Sequence, residues 1–181
     1  IVDQTTDTVF NGMLLSHAST GSAVRSIAFE KRGAGSLTLA NIVGKQTASA
    51  GAANADVAIT VTAGTLVLAG TNTTTGAVTV NSGKLVVNGV HPVASAITVL
   101  AGGTLNGTGF INGAVTNNGT LSPGFPFGVL TISNAPVMNG VALLPINRTN
   151  APNCGRLVVS NTLNYGGTLT VTNTGPAGLA S

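Results

Sequence analysis

Apolar and polar positions alternate along this chain in runs too short for helices. Leu37-Thr38-Leu39, Ile59-Thr60-Val61, Val78-Thr79-Val80 and Ile97-Thr98-Val99 each place two aliphatic side chains on one face and a threonine on the other. That period of two predicts half-buried strands. Small turns punctuate them at Asn88-Gly89, Gly102-Gly103, Asn106-Gly107, Asn112-Gly113 and Asn118-Gly119. Asn and Gly accept the left-handed backbone that sharp corners require.

The alternation is itself repeated, most regularly between Gly70 and Gly124. A Gly-bearing turn leads into Leu at Gly83-Lys84-Leu85, Gly103-Thr104-Leu105 and Gly119-Thr120-Leu121. Leu66 to Leu85 spans 19 residues and Leu85 to Leu105 spans 20, a period in the range of β-solenoid rungs. Asn-Gly also suits antiparallel hairpins with type I′ turns. Recurrence of whole turn-strand blocks favours the solenoid, and Asn in successive rungs can stack into amide ladders.

In chain order, residues 1–40 carry most of the charge and read as a partial N-terminal cap or first rungs. Val9 to Leu15 reads as a strand interrupted by Gly12, and Ile27 to Lys31 as another. Residues 41–58 are rich in Ala, Ser, Gly and Asn and predict an irregular loop; residues 59–172 predict regular rungs. Ser122-Pro123-Gly124 predicts a corner or edge, because proline cannot donate to a ladder. Residues 173–181 predict a loose tail at which the repeat is expected to be cut off. The whole of 1–181 is expected to be one domain.

Composition narrows the function classes. Charged residues are 6 % and hydrophobic ones 43 %, against roughly 25 % charged in ordinary domains, so a disordered chain of high charge is excluded. No uninterrupted apolar run approaches the roughly 18 residues of a membrane helix, and with no Trp the aromatic girdles of a membrane barrel are missing. Net charge is +3, from seven scattered Lys and Arg and four acids; nucleic-acid binding wants clustered cations among aromatics. Cys154 is the lone cysteine, so no intrachain disulfide forms. The chain opens at Ile1 with no signal-like segment, so if the protein is exported its signal is expected to have been removed or to lie outside this sequence.

Asn72 to Leu85, Ala101 to Gly109 and Asn117 to Gly124 resemble the autotransporter-associated β-strand repeat, also called the passenger-associated transport repeat. Phe10-Asn11-Gly12 leading to Lys31-Arg32-Gly33-Ala34-Gly35-Ser36-Leu37 is similar to that family's opening unit, and the likeness covers most of residues 10–172. The resemblance implies a right-handed parallel β-helix in a bacterial surface or secreted protein. It carries no catalytic motif. Residues 40–58 depart from the family's compact spacing.

Candidate chemistry is sparse. His17 and His91 with Asp3, Asp7 and Asp56 supply two members of a Ser-His-Asp set, but no nucleophile elbow accompanies them. A polysaccharide lyase or hydrolase on a β-helix needs paired carboxylates or a calcium cage with a base, and the four acids, Asp3, Asp7, Glu30 and Asp56, all precede residue 57. His91-Pro92 reads as a turn, and Cys154 as a buried thiol at a strand edge. Sequons at Asn72, Asn106, Asn118 and Asn147 are expected by chance in a chain so rich in Asn and Thr. Tyr165, Phe110, Phe125 and Phe127 could stack on a sugar, although core or corner packing accounts for them as well. No catalytic, cofactor or metal residue is therefore assigned.

The expectation is a non-enzymatic extracellular or cell-surface solenoid: a stalk, spacer or filament subunit that meets copies of itself or adjoining repeats end to end. An adhesin-like glycan- or surface-binding module is the alternative, and a polysaccharide-degrading enzyme comes third.

Overall fold

The computed structural model describes residues 1–16, 26–45, 56–92, 94–124 and 126–176. Every named strand in it pairs in parallel with a strand of an adjacent coil, which makes the chain a parallel β-helix. The hairpin alternative is excluded: antiparallel contacts are confined to isolated bridges such as Gly107 to Gly124 and Ile146 to Cys154.

Among the described residues two sheets of eight strands each run along the coil, which gives eight rungs. The first face is built from Val2–Asp3, Ile27–Arg32, Val57–Val61, Val78–Val80, Ile97–Val99, Val115–Asn117, Val137–Met138 and Asn164–Tyr165. The second runs through Thr8–Phe10, Ser36–Leu39, Thr65–Leu68, Lys84–Val87, Thr104–Gly107, Thr120–Pro123, Val141–Ile146 and Thr168–Asn173. A third, shorter face holds Val90–His91, Phe110–Ile111, Gly128–Ile132 and Gly155–Val159, and Leu14–Ser16 pairs with Val43–Lys45 near the N-terminal end.

Register explains the sequence period. Leu37, Leu66, Leu85, Leu105, Leu121 and Ala142 are ladder partners in succession on the second face. Phe29, Ile59, Val78, Ile97 and Val115 do the same on the first. These files meet inside the coil and form its core, where Leu66, Leu85, Leu105 and Leu121 are wholly buried. Burying each Leu contributes roughly 1.5–3 kcal/mol. A one-residue slip would turn an entire file outward.

Corners repeat as strictly as strands. Gly107, at φ +131°, lies so close to the rung below that an added Cβ would stand 2.0 Å from the Val87 carbonyl oxygen. The amides of these corners also ladder: Asn139 Nδ2 donates to Asn118 Oδ1 at 2.9 Å, and Asn134 Nδ2 to the Asn112 carbonyl at 2.7 Å.

Three boundaries differ from the sequence reading. Val43–Lys45 is a strand paired with Leu14–Ser16, so the irregular stretch expected over 41–58 does not begin at 41; residues 46–55 lie outside the described residues. Backbone pairing, not side-chain pattern, defines that strand, which is why alternation missed it. Pro123 is the last residue of a strand, opposite Gly107, and the corner proper begins at Gly124 with φ +85°. Asn173 still belongs to a strand, and the Thr174 amide donates to the Ile146 carbonyl, so the tail keeps ladder contacts beyond 173. Residues 177–181 are outside the described part.

Leu85→Ala should cost about 2–5 kcal/mol, because neighbours held by ladders on both sides cannot collapse into the gap. Leu85→Asp should abolish folding by burying an unpaired charge. Urea unfolding followed by far-ultraviolet circular dichroism checks both; a Leu85→Asp protein with the native spectrum would contradict this core.

Candidate functional site

Much of the described polar interior falls at two corners of the coil, apart from Asn106 and Ser122, which are partners on the second face. The first lies between the first and second faces. There Val2, Lys31, Val61, Val80, Val99, Asn117, Met138 and Tyr165 occupy one file. Lys31 is wholly buried between Val2 and Val61 of the adjacent rungs. Its Nζ donates to the Arg32 carbonyl and, at 2.8 Å, to that of Gly33, so corner carbonyls take up the ammonium protons. Burial pushes the Lys31 pKa down, and the charge of Asp3 partly opposes this. Gly64, at φ +65°, leaves room for the amine: a Cβ there would lie 2.9 Å from Nζ. Asn117 fills the same file four rungs on, with Nδ2 donating to the Gly119 and Val141 carbonyls at 3.3 and 3.4 Å.

The second corner joins the third face to the first. Asp56 Oδ1 accepts the Val57 amide at 2.8 Å, the Thr75 amide at 2.8 Å and the Thr74 hydroxyl at 3.0 Å. Burial raises its pKa, but these hydrogen bonds outweigh that and hold it below the usual carboxylate value. One rung on, the Ser95 hydroxyl donates to the Gly76 carbonyl, and His91 Nε2 lies 3.2 Å from the Ser95 carbonyl oxygen. A carbonyl only accepts, so Nε2 carries the proton and Nδ1 is left as an acceptor. That Nδ1 is buried and unpartnered, as are Asn72 Oδ1 and Asn117 Oδ1. The Thr71–Val90 bridge sets Asn72 beside His91 in adjacent rungs.

His91 and Asp56 thus approach the same corner without forming a relay. The Ser95 hydroxyl points to backbone rather than to the imidazole, and His91 is 0 % exposed, so no substrate reaches it. The remaining acids are spent singly: Glu30 forms an ion pair with Arg32 at 2.7 Å and accepts the Thr62 hydroxyl, and Asp7 Oδ1 accepts the Ser36 amide at 2.8 Å. The Arg32 and Thr62 hydrogen bonds hold the Glu30 pKa below its ordinary value. Asp3 lies exposed on the first rung. His17 is outside the described residues.

The other candidates separate cleanly. Asn72 is 2 % exposed and Asn106 is buried, so neither sequon is open to a glycan in the folded chain; Asn118 is exposed, and Asn147 holds a turn by accepting from Thr149. Cys154 is half-buried rather than buried, because it lies where the 146–154 loop returns to the coil. Phe110 is exposed on the third face, and the Tyr165 hydroxyl accepts the Ala142 amide at 3.3 Å. Phe127 lines a cleft of about 370 Å³ with Pro126, Thr149, Asn150, Ala151 and Pro152. Phe125 lies outside the described residues.

Lys31, Ser95 and Asn117 were not singled out from the sequence as interior residues. A signal existed: aligning Phe29-Glu30-Lys31 and Val115-Thr116-Asn117 with Ile59-Thr60-Val61 puts a polar side chain where each neighbour has Val. Among the described residues no three of His, Cys, Asp and Glu gather, and no helix is long and apolar enough to cross a membrane. No protein-family model, no curated protein and no solved structure matches the chain.

Burial lowers the His91 pKa to about 4, with the hydrogen bond to Ser95 opposing the shift. The unfolded chain therefore binds a proton that the folded chain rejects between about pH 6.5 and 4. Stability should be full above pH 6.5 and fall through that window, by on the order of 3 kcal/mol. Denaturant midpoints measured across pH in a His17→Gln background should show this slope, and His91→Gln should remove it. Asp56, with its depressed pKa, adds a further loss only below the ordinary carboxylate range, which Asp56→Asn should flatten.

Proposed function

We propose that the chain is a structural element, a stalk, spacer or filament segment of a bacterial surface or secreted protein, and that it has no catalytic role. The observation that carries this reading is the state of its two ends. At the N-terminal end Val2, Val9, Phe10, Leu14, Phe29 and Leu37 line an apolar cavity of about 540 Å³. At the other, Ala142, Leu144, Leu157, Leu163, Tyr165 and Leu169 line another of about 540 Å³. Among the described residues no rung covers these core files: Phe10 is 45 % and Leu169 58 % exposed, while their ladder equivalents Leu39, Leu68, Ala142 and Leu121 are buried. The first and last strands are sheet edges among the described residues, and such edges template further pairing.

Adjoining repeats or a second copy would satisfy both features. Contact between unlike ends is heterologous and need not close, so filaments are the natural product. The resemblance to autotransporter-associated repeats supports the same role and the extracellular location. A second reading, a glycan-binding adhesin module, is supported by the cleft that Phe127 lines together with Thr149 and Asn150. Phe127→Ala would then abolish capture on a glycan array.

Light scattering across concentration tests the structural reading. Mass should rise with concentration and depend little on salt, since few charges are involved. Val9→Lys with Leu169→Lys should stop the growth of long end-to-end assemblies while the circular dichroism spectrum stays unchanged. Equal scattering from wild type and variant would remove end contacts from the account. Incubation with pectin, alginate and chitin should give no products; turnover lost in Asp56→Asn would overturn the non-enzymatic role.

A further inference from the structure

The outer side of the first face carries an array that neither the core nor the ends explain. Ala28, Ala58, Ala77, Ala96 and Ala114 all stand exposed at one position in successive strands. Two residues along each strand, Thr60, Thr79, Thr98 and Thr116 are ladder partners in an unbroken file. Files lie roughly 6.6 Å apart along the strand, and residues within a file about 4.8 Å apart. The ion pair of Glu30 with Arg32 closes the array at one edge; from Thr60 to Thr116 neither file contains a charge or an aromatic.

We propose that this face is a lateral seam that receives the same face of a second copy. Three features single out that occupant. A ligand lying along the files must repeat at the rung spacing, and a second coil of this chain does so without accumulating mismatch. Small side chains allow close approach of two sheets, the arrangement that stabilises stacked sheets generally. Shape adds direction: a two-fold axis parallel to the coil places the low alanine file of one copy over the taller threonine file of the other. Such an interface is isologous, and no charge is stranded in it.

Area sets its strength. Five strands and two to three files cover roughly 20 by 15 Å, about 600 Å² for both partners, below the roughly 1,000 Å² of a stable isolated interface. A single pair of chains therefore associates weakly, and joined coils associate more tightly as the seam lengthens. The seam stands apart from the ends, so either contact can fail without the other.

Crosslinking reads the seam directly. In a Cys154→Ser background, Ala96→Cys and Thr98→Cys proteins are mixed at high concentration and treated with a short bis-maleimide. The mixed pair should give several-fold more crosslinked dimer than either protein alone, and more than a Thr131→Cys control on the third face. Adding Thr79→Lys and Thr116→Lys should abolish the product while the circular dichroism spectrum stays native. Val9→Lys with Leu169→Lys, which removes end contacts, should leave it intact. Yields no higher than the Thr131→Cys control, or indifference to the two lysines, would overturn the seam.

Discussion

In-register parallel pairing is the constraint on which everything else in this molecule depends. Each strand's backbone groups are satisfied by the coil before and the coil after, so every position along a rung is locked to its equivalents. Leu66, Leu85, Leu105 and Leu121 are buried together because they are partners in one ladder. The same lock leaves little freedom at corners, where Gly107 approaches the Val87 carbonyl more closely than any side chain permits. Rung is stabilised by rung, and the energy of the fold is nearly one-dimensional.

That lock also accounts for the polar interior. A file position that faces inward must be filled by whatever residue occupies it, and at Lys31, His91 and Asn117 the residue is polar. Each is accommodated by corner carbonyls: Arg32 and Gly33 for Lys31, Ser95 for His91, Gly119 and Val141 for Asn117. Carbonyls left over where the chain turns thus become the local solvent for side chains that the ladder forces inward. The cost is visible in the unpartnered Nδ1 of His91 and Oδ1 of Asn117. Buried so, these groups hold backbone and leave no room for a substrate.

The same periodicity that builds a core inside builds a pattern outside. Files of Ala and Thr appear on the first face because four successive rungs repeat an Ala-x-Thr triplet in register. Among the described residues, apolar side chains of the first and last rungs line open cavities.

Much of the architecture was legible in the residues themselves. Alternation named the strands from Leu37 to Leu169, and the 19- and 20-residue spacing of Leu66, Leu85 and Leu105 named the coil, because both are consequences of local geometry repeated. Tertiary structure decided the rest. Val43–Lys45 is a strand only through its pairing with Leu14–Ser16, a contact across 29 residues that carries no side-chain signature. Whether Asp56 and His91 form a site was equally beyond the sequence, since residues 35 apart share a corner only once the rungs between them are stacked. The stacking brought them near and, in the same act, turned the Ser95 hydroxyl toward Gly76 and closed His91 from solvent. Composition sets which side chains are available to a coil; register alone decides which of them meet.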